Sequence, residues 1–129
     1  MTPKAKILIV DDEVILVSSV ERELARRGYQ LCESACSGED ALEKLKAELP
    51  DLVLLDCFLG CENSGFDVAN RIRSMSDIPI VFMSGLGRDE VADQLNAIAG
   101  SAFLAKPFNP EALVRAIELS LQTCRGGSS

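Results

Sequence analysis

The chain has no histidine in its 129 residues. That absence excludes acid–base or nucleophilic catalysis by imidazole, including any Ser-His-Asp or Cys-His arrangement. Long apolar runs are also missing, and nothing approaches the roughly 20 residues needed to cross a bilayer. The opening MTPKAKILIVDDE breaks its short apolar run with acids, unlike a secretory signal. A cytoplasmic protein with no membrane partner is expected. No lysine or arginine block stands out, and 20 acids outweigh 13 bases to give a net charge of −7. A nucleic-acid surface is therefore not expected within this chain.

Cysteine is present but in odd number: Cys32, Cys36, Cys57, Cys61 and Cys124. A chain of this size folds without staples, so reduced thiols are the expectation. Cys32/Cys36 and Cys57/Cys61 are both C-x3-C pairs, which raises zinc. The lack of histidine, and the place of Cys32 and Cys36 in or beside a predicted strand, argue against it.

What the chain does have is a core. Hydrophobic residues make up 47% of it, enough for one domain of ordinary size. Short apolar runs alternate with amphipathic segments. Strands are predicted at AKILIV (5–10), more weakly at YQLCESA (29–35), then at DLVLLD (51–56), IPIVFM (78–83) and AFLA (102–105). Helices are predicted over 14–27, from the Ser37 N-cap onward, over 65–75, over 88–98, and from Asn109-Pro110-Glu111 to about Thr123, with RGGSS fraying as a tail or linker start. Leu45 and Leu49 belong to the apolar face of the second helix, and Ile72 and Met75 to that of the third. Five βα units with continuous apolar strands predict a doubly wound α/β layer: a parallel sheet with helices on both faces.

In such a sheet, ligands bind beyond the carboxyl ends of the strands. Four segments bring polar groups to that edge: Asp11-Asp12-Glu13, Asp56, Ser84-Gly85 and Lys106-Pro107. Taken singly, each has an ordinary explanation as a solvated turn, a loop acid, an N-cap or a surface lysine. Together they read as a site. Carboxylates brought together repel and raise one another's pKa, which a hard divalent cation such as Mg²⁺ relieves. A carboxylate so placed can act as nucleophile in aspartyl-phosphate chemistry, while Lys106 neutralises and Ser84 hydrogen-bonds a phosphoryl group in transfer.

ILIVDDE, DLVLLD, MSG and FLAKPF, in this order, make the chain resemble the receiver domain of two-component response regulators over about residues 4–123, with 124–129 as tail. The resemblance implies a five-stranded flavodoxin-like fold of strand order 2-1-3-4-5. It implies that Asp56 accepts a phosphoryl group from a histidine kinase or histidine phosphotransfer protein. Mg²⁺ (or Mn²⁺) would be bound by Asp12 directly, by Asp11 through water, by Asp56 and by the backbone carbonyl of Phe58. Ser84 would be the switch hydroxyl, Phe103 the switch aromatic, and Lys106–Pro107 a cis peptide. The fourth helix, fifth strand and fifth helix would form the output or homodimer face. No effector follows residue 123, so the chain would act alone or be part of a longer regulator.

Two departures from the family pattern stand out. After the acceptor the family usually reads D-x-x-[ML]-P-x-x-x-G, whereas here Gly60 replaces the proline and Gly65 arrives one residue late. Gly100 likewise falls one residue later than usual at the end of the fourth helix. Phe58 and Leu86, each two residues beyond a site residue, are bulky and apolar. They either exclude water from an acyl phosphate or close a small hydrophobic lid. Rival readings are a flavodoxin-type FMN carrier, a phosphatase of the haloacid dehalogenase type, a phosphorylation-independent binding module and a thiol sensor using Cys57 or Cys61. The first needs a hydroxyl- and glycine-rich phosphate loop where Asp11-Asp12-Glu13 stands. The second needs a second acid where Phe58 stands.

Overall fold

The computed structural model describes residues 5–59 and 63–127, with side chains for 5–59 and 65–122. Five strands form one parallel sheet: β1 (Lys6–Val10), β2 (Gln30–Leu31), β3 (Leu52–Asp56), β4 (Ile80–Ser84) and β5 (Ser101–Ala105). Their spatial order is β2-β1-β3-β4-β5, the flavodoxin-like order. The helices are α1 (Val14–Arg26), α2 (Gly38–Ala47), α3 (Gly65–Met75), α4 (Ala92–Asn96) and α5 (Pro110–Gly127).

The central strands are apolar without a break because both faces of the sheet are covered. On β3, Leu52 and Leu54 pack with α1 and α5, while Val53 and Leu55 pack with α2, α3 and α4. The two-residue period of a strand sends successive side chains to opposite layers, so a strand between two helix layers has no polar position to spare. Leu8, Leu54 and Phe82 are wholly buried, each contributing about 1.5–3 kcal/mol of transfer free energy. The β3–β4 register pairs Leu55 with Phe82 and Asp56 with Met83, which brings the ends of the two strands level. Asp56, last in β3, and Ser84, last in β4, thus leave the core at the same edge.

Local signals act where expected at two helix starts. The Ser37 hydroxyl accepts from the Asp40 amide at 3.1 Å, and the Asn109 side chain accepts from the Ala112 amide at 2.8 Å.

Five expectations are corrected. The second strand is only Gln30–Leu31, joined further on by a single bridge between Val10 and Ala35. Residues 88–98 are not one helix: a 3₁₀ turn (Arg88–Val91) precedes the five-residue α4. Gly87 starts that turn and offers no side-chain oxygen to the free amides; the Glu90 carboxylate instead accepts from the Gly87 amide at 3.0 Å. The last helix runs past Thr123 to Gly127, so RGG is helical; Ser128 and Ser129 lie outside the described residues. Leu49 and Met75 are exposed rather than inward, because Leu49 lies beyond the end of α2 and Met75 ends α3, where the helix face has turned off the sheet.

Candidate functional site

β1 carries Asp11 to the sheet edge, where its amide donates to the Ala35 carbonyl at 3.1 Å. β3 ends in Asp56, and both carboxylates are buried, whereas Asp12 is exposed. Carboxylate oxygens of Asp11, Asp12 and Asp56 all lie within 4.8 Å of one another. Among the described residues this is the one group placed to hold a metal ion, and no cysteine belongs to it.

Lys106 comes in from the end of β5. Its amide donates to the Ser84 carbonyl at 2.7 Å, which fixes its backbone against β4. Its ammonium lies 2.6 Å from Glu13, 2.9 Å from Asp11 and 3.5 Å from Asp56. The Lys106–Pro107 peptide is cis. Burial alone would lower the Lys106 pKa, but Glu13, Asp11 and Asp56 outweigh it and raise it above the ordinary lysine range. The lysine therefore stays charged.

Asp56 is pulled the other way. Burial, with Asp11 and Asp12 adding repulsion, pushes its pKa from 3.8 up to about 6. The Phe58 amide, which donates to Asp56 Oδ1 at 3.2 Å, and the Lys106 charge oppose that rise without cancelling it. The cluster is thus one cation short. That is the electrostatic condition a divalent ion bound by oxygen ligands relieves.

Ser84 is buried, and its hydroxyl accepts from the Leu86 amide at 2.9 Å. The Cys57 thiol is buried just beyond the end of β3, and Ser84 acts to lower its pKa against the larger effect of burial. Burial pushes Cys57 up to about 12, so it is no ready thiolate; Cys61 lies outside the described residues. Phe103 is half-buried against the layer that holds Phe82 and Phe66.

The segment after Asp56 differs from a plain loop. Phe58–Leu59 pairs with Asn63–Ser64 as a small antiparallel hairpin, with Gly60 to Glu62 outside the described residues. Beyond this pairing, Gly65 lies against the Asp56 backbone. The Gly65 amide donates to the Cys57 carbonyl at 2.6 Å, and a Cβ at Gly65 would fall inside the carbonyl oxygen of Asp56. Glycine is required there by close backbone approach. Phe58 and Leu86 are 47% and 41% exposed, and their amides donate to the Asp56 and Ser84 side chains. At the far end of the site layer, Gly100 takes a left-handed φ of 70° after α4, and Arg73 donates to the neighbouring Ala99 carbonyl at 2.9 Å.

Of the expected site residues, Asp11, Asp12, Asp56, Ser84 and Lys106 from four segments lie at one edge, with Phe58 in the hairpin, while Phe103 sits in the middle of β5 opposite Phe82. Two further residues meet the site. Glu13 grips Lys106, and Gly65 packs on Asp56. The position of each was visible in the sequence, but neither contact carries a sequence signal of its own.

Known proteins resemble this chain in sequence and in fold. A sequence description of the response regulator receiver domain matches residues 7–118. The transcriptional regulatory protein YvrH of Bacillus subtilis (strain 168) is 40% identical over 120 residues, spanning 92% of this chain and 49% of that protein. The probable transcriptional regulator ycf27 of Guillardia theta is 38% identical over 119 residues, 88% of this chain and 45% of that one. The chain thus spans about half the length of these relatives. Among solved structures, a CheY-like receiver domain protein from Methanospirillum hungatei JF-1 superposes with a TM-score of 0.84 at 27% identity, covering 95% of this chain and 97% of that one. NtrX from Brucella abortus, crystallised with ATP, gives 0.87 at 29% identity, covering 96% of this chain and 28% of that one. Sequence and fold lead to one conclusion: the chain belongs to the response regulator receiver domain family.

Proposed function

We propose that this chain is a phosphorylation-dependent signalling receiver in which Asp56 accepts a phosphoryl group from a phosphohistidine on a histidine kinase or histidine phosphotransfer protein. A carboxylate oxygen of Asp56 attacks phosphorus, the P–N bond breaks, and the imidazole of the donor leaves. The observation that carries this reading is the buried Asp56 carboxylate beside Asp11, Asp12 and a lysine 3.5 Å away, at the open edge of the sheet. The receiver is a signalling part rather than an enzyme with a separate substrate.

The donor set fits a hard cation: three carboxylates, two of them buried, short of positive charge. Asp12 would hold Mg²⁺ or Mn²⁺ directly and Asp11 through water, with Asp56 and the Phe58 carbonyl completing the protein's share. When bound, such an ion supplies neutralisation of the carboxylates and of the phosphoryl oxygens. Lys106 pairs with a phosphoryl oxygen. Ser84 must release the Leu86 amide and donate its hydroxyl to another phosphoryl oxygen. Its departure leaves room beside Phe103, which moves inward and alters the face made by α4, β5 and α5.

That face holds a groove of about 550 Å³ lined in part by Pro79, Ala102, Leu104, Arg115 and Leu119, suited to an effector or a second copy. A cytoplasmic location goes with the proposed phosphodonors, and no described helix is long and apolar enough to cross a membrane.

The test is incubation with Mg²⁺ and acetyl phosphate, followed by intact mass. The wild-type chain must gain one phosphoryl group. No gain, or an equal gain in Asp56→Asn, contradicts the proposal.

A further inference from the structure

Lys106 is not resting where the proposed chemistry needs it. Its ammonium is within hydrogen-bond distance of Glu13 at 2.6 Å and Asp11 at 2.9 Å, but 3.5 Å from Asp56, beyond a good N–H···O bond. Asp11 has a place in the metal cluster. Glu13 has none.

Glu13 also forgoes its local use. It is the N-cap residue of α1, where an acid is favoured by the positive end of the helix dipole. Its side chain makes no capping hydrogen bond, although the first turn of α1 has no other acid. The carboxylate reaches instead to Lys106, 93 residues away in sequence. Both backbones are pinned. The Glu13 amide donates to Asp11 at 2.9 Å, its carbonyl accepts from Val17 at 3.0 Å, and the Lys106 amide is held by Ser84 at 2.7 Å. With the backbones held, the lysine stem is what can swing its ammonium. Glu13 sits at the outer end of that swing, with 58% of its side chain exposed, and Asp56 at the inner end, with 10%.

We infer that Glu13 is a positioning residue that holds the Lys106 ammonium in a resting place, which the ammonium must leave to reach a phosphoryl group on Asp56. The inference rests on the phosphoacceptor reading above. Glu13 and the phosphoryl oxygens compete for one cation, so Glu13 biases the domain toward its resting state. An ion pair with one partner this exposed is worth about 0.5–1 kcal/mol, or roughly a two- to fivefold change in affinity for a phosphoryl-like group.

Beryllium trifluoride, an anion whose beryllium becomes tetrahedral on bonding to a carboxylate oxygen and so imitates a phosphoryl group there, measures this. With saturating Mg²⁺, Glu13→Gln is expected to bind it about two- to fivefold more tightly than wild type. In a Lys106→Ala background the same substitution is expected to change nothing. Unchanged or weaker binding in Glu13→Gln overturns the inference. So does an equal gain without Lys106, which would mean plain relief of charge repulsion. If Lys106→Ala binds too weakly to measure, the ¹⁵N resonance of the Lys106 ammonium in metal-free protein decides. Glu13→Gln must shift it and speed its exchange with water, and an unmoved resonance overturns the inference. A wild-type protein that binds no beryllium trifluoride removes the phosphoacceptor reading itself.

Discussion

Asp56→Asn should stabilise the metal-free domain, and the gain should depend on pH. The Asp56 side chain is 10% exposed, and burial with its acidic neighbours pushes its pKa from 3.8 up to about 6. A shift of about two units corresponds to roughly 3 kcal/mol. The site opens to water beside the exposed Asp12, so screening reduces this to about 1–2 kcal/mol. The folded-state value lies above the unfolded one, so the folded chain holds this proton more tightly. The stability that Asp56 contributes is complete below about pH 4 and is lost as pH rises through about 6. Above that, the buried charge costs the full amount. Asparagine keeps an oxygen for the Phe58 amide, and Lys106 keeps Asp11 and Glu13, so little else is lost.

Urea unfolding without divalent ions should therefore show Asp56→Asn more stable than wild type by about 1–2 kcal/mol near pH 8, with the difference shrinking toward zero only near pH 4 and below. Adding Mg²⁺ should reverse the order. At a hundredfold excess over its Kd, an ion that binds only the folded wild type adds about 2.7 kcal/mol. A variant no more stable than wild type near pH 8, or a gain of equal size at both pH values, would refute the reasoning.

Gly65→Ala should destabilise the domain by about 2–3 kcal/mol, since the new methyl group has to displace the Asp56 backbone; a urea midpoint within error of wild type would be the contrary result. Phe58→Asn and Leu86→Glu should each shorten the lifetime of phospho-Asp56 by opening the apolar flank of the site to water, as measured by loss of the phosphorylated mass with time. Unchanged decay in both would leave these side chains as no more than a hydrophobic lid.

The parts of this molecule legible in the sequence are those whose cause is local or periodic. β1, β3 and β4 announce themselves because a strand buried on both faces must be apolar throughout. The bounds of α3 agree with the structure at Gly65 and Met75 because its inward residues repeat at helical spacing. Site residues were legible for a related reason: each stands at the end of an apolar run, and parallel strands put those ends on one edge.

What was not legible depends on contacts distant in sequence. β2 shrinks to two residues because its pairing with β1 lapses after Leu31 and resumes only at the Ala35 bridge. α4 is short and begins as a 3₁₀ turn behind Gly87, a position with no side chain to cap it. The hairpin after Asp56 and the approach of Gly65 follow from the path of a loop, and no periodicity records that. The Glu13–Lys106 pair joins the ends of two strands that are not adjacent in the sheet.

The central claim is that Asp56 carries the phosphoryl group. Reduction with borohydride converts an aspartyl phosphate to homoserine, which marks the residue permanently. After treatment with Mg²⁺ and acetyl phosphate and then borohydride, peptide mass spectrometry should find homoserine at position 56 alone. Homoserine at Asp11 or Asp12, or at no position in a chain that has gained phosphoryl mass, would contradict the account.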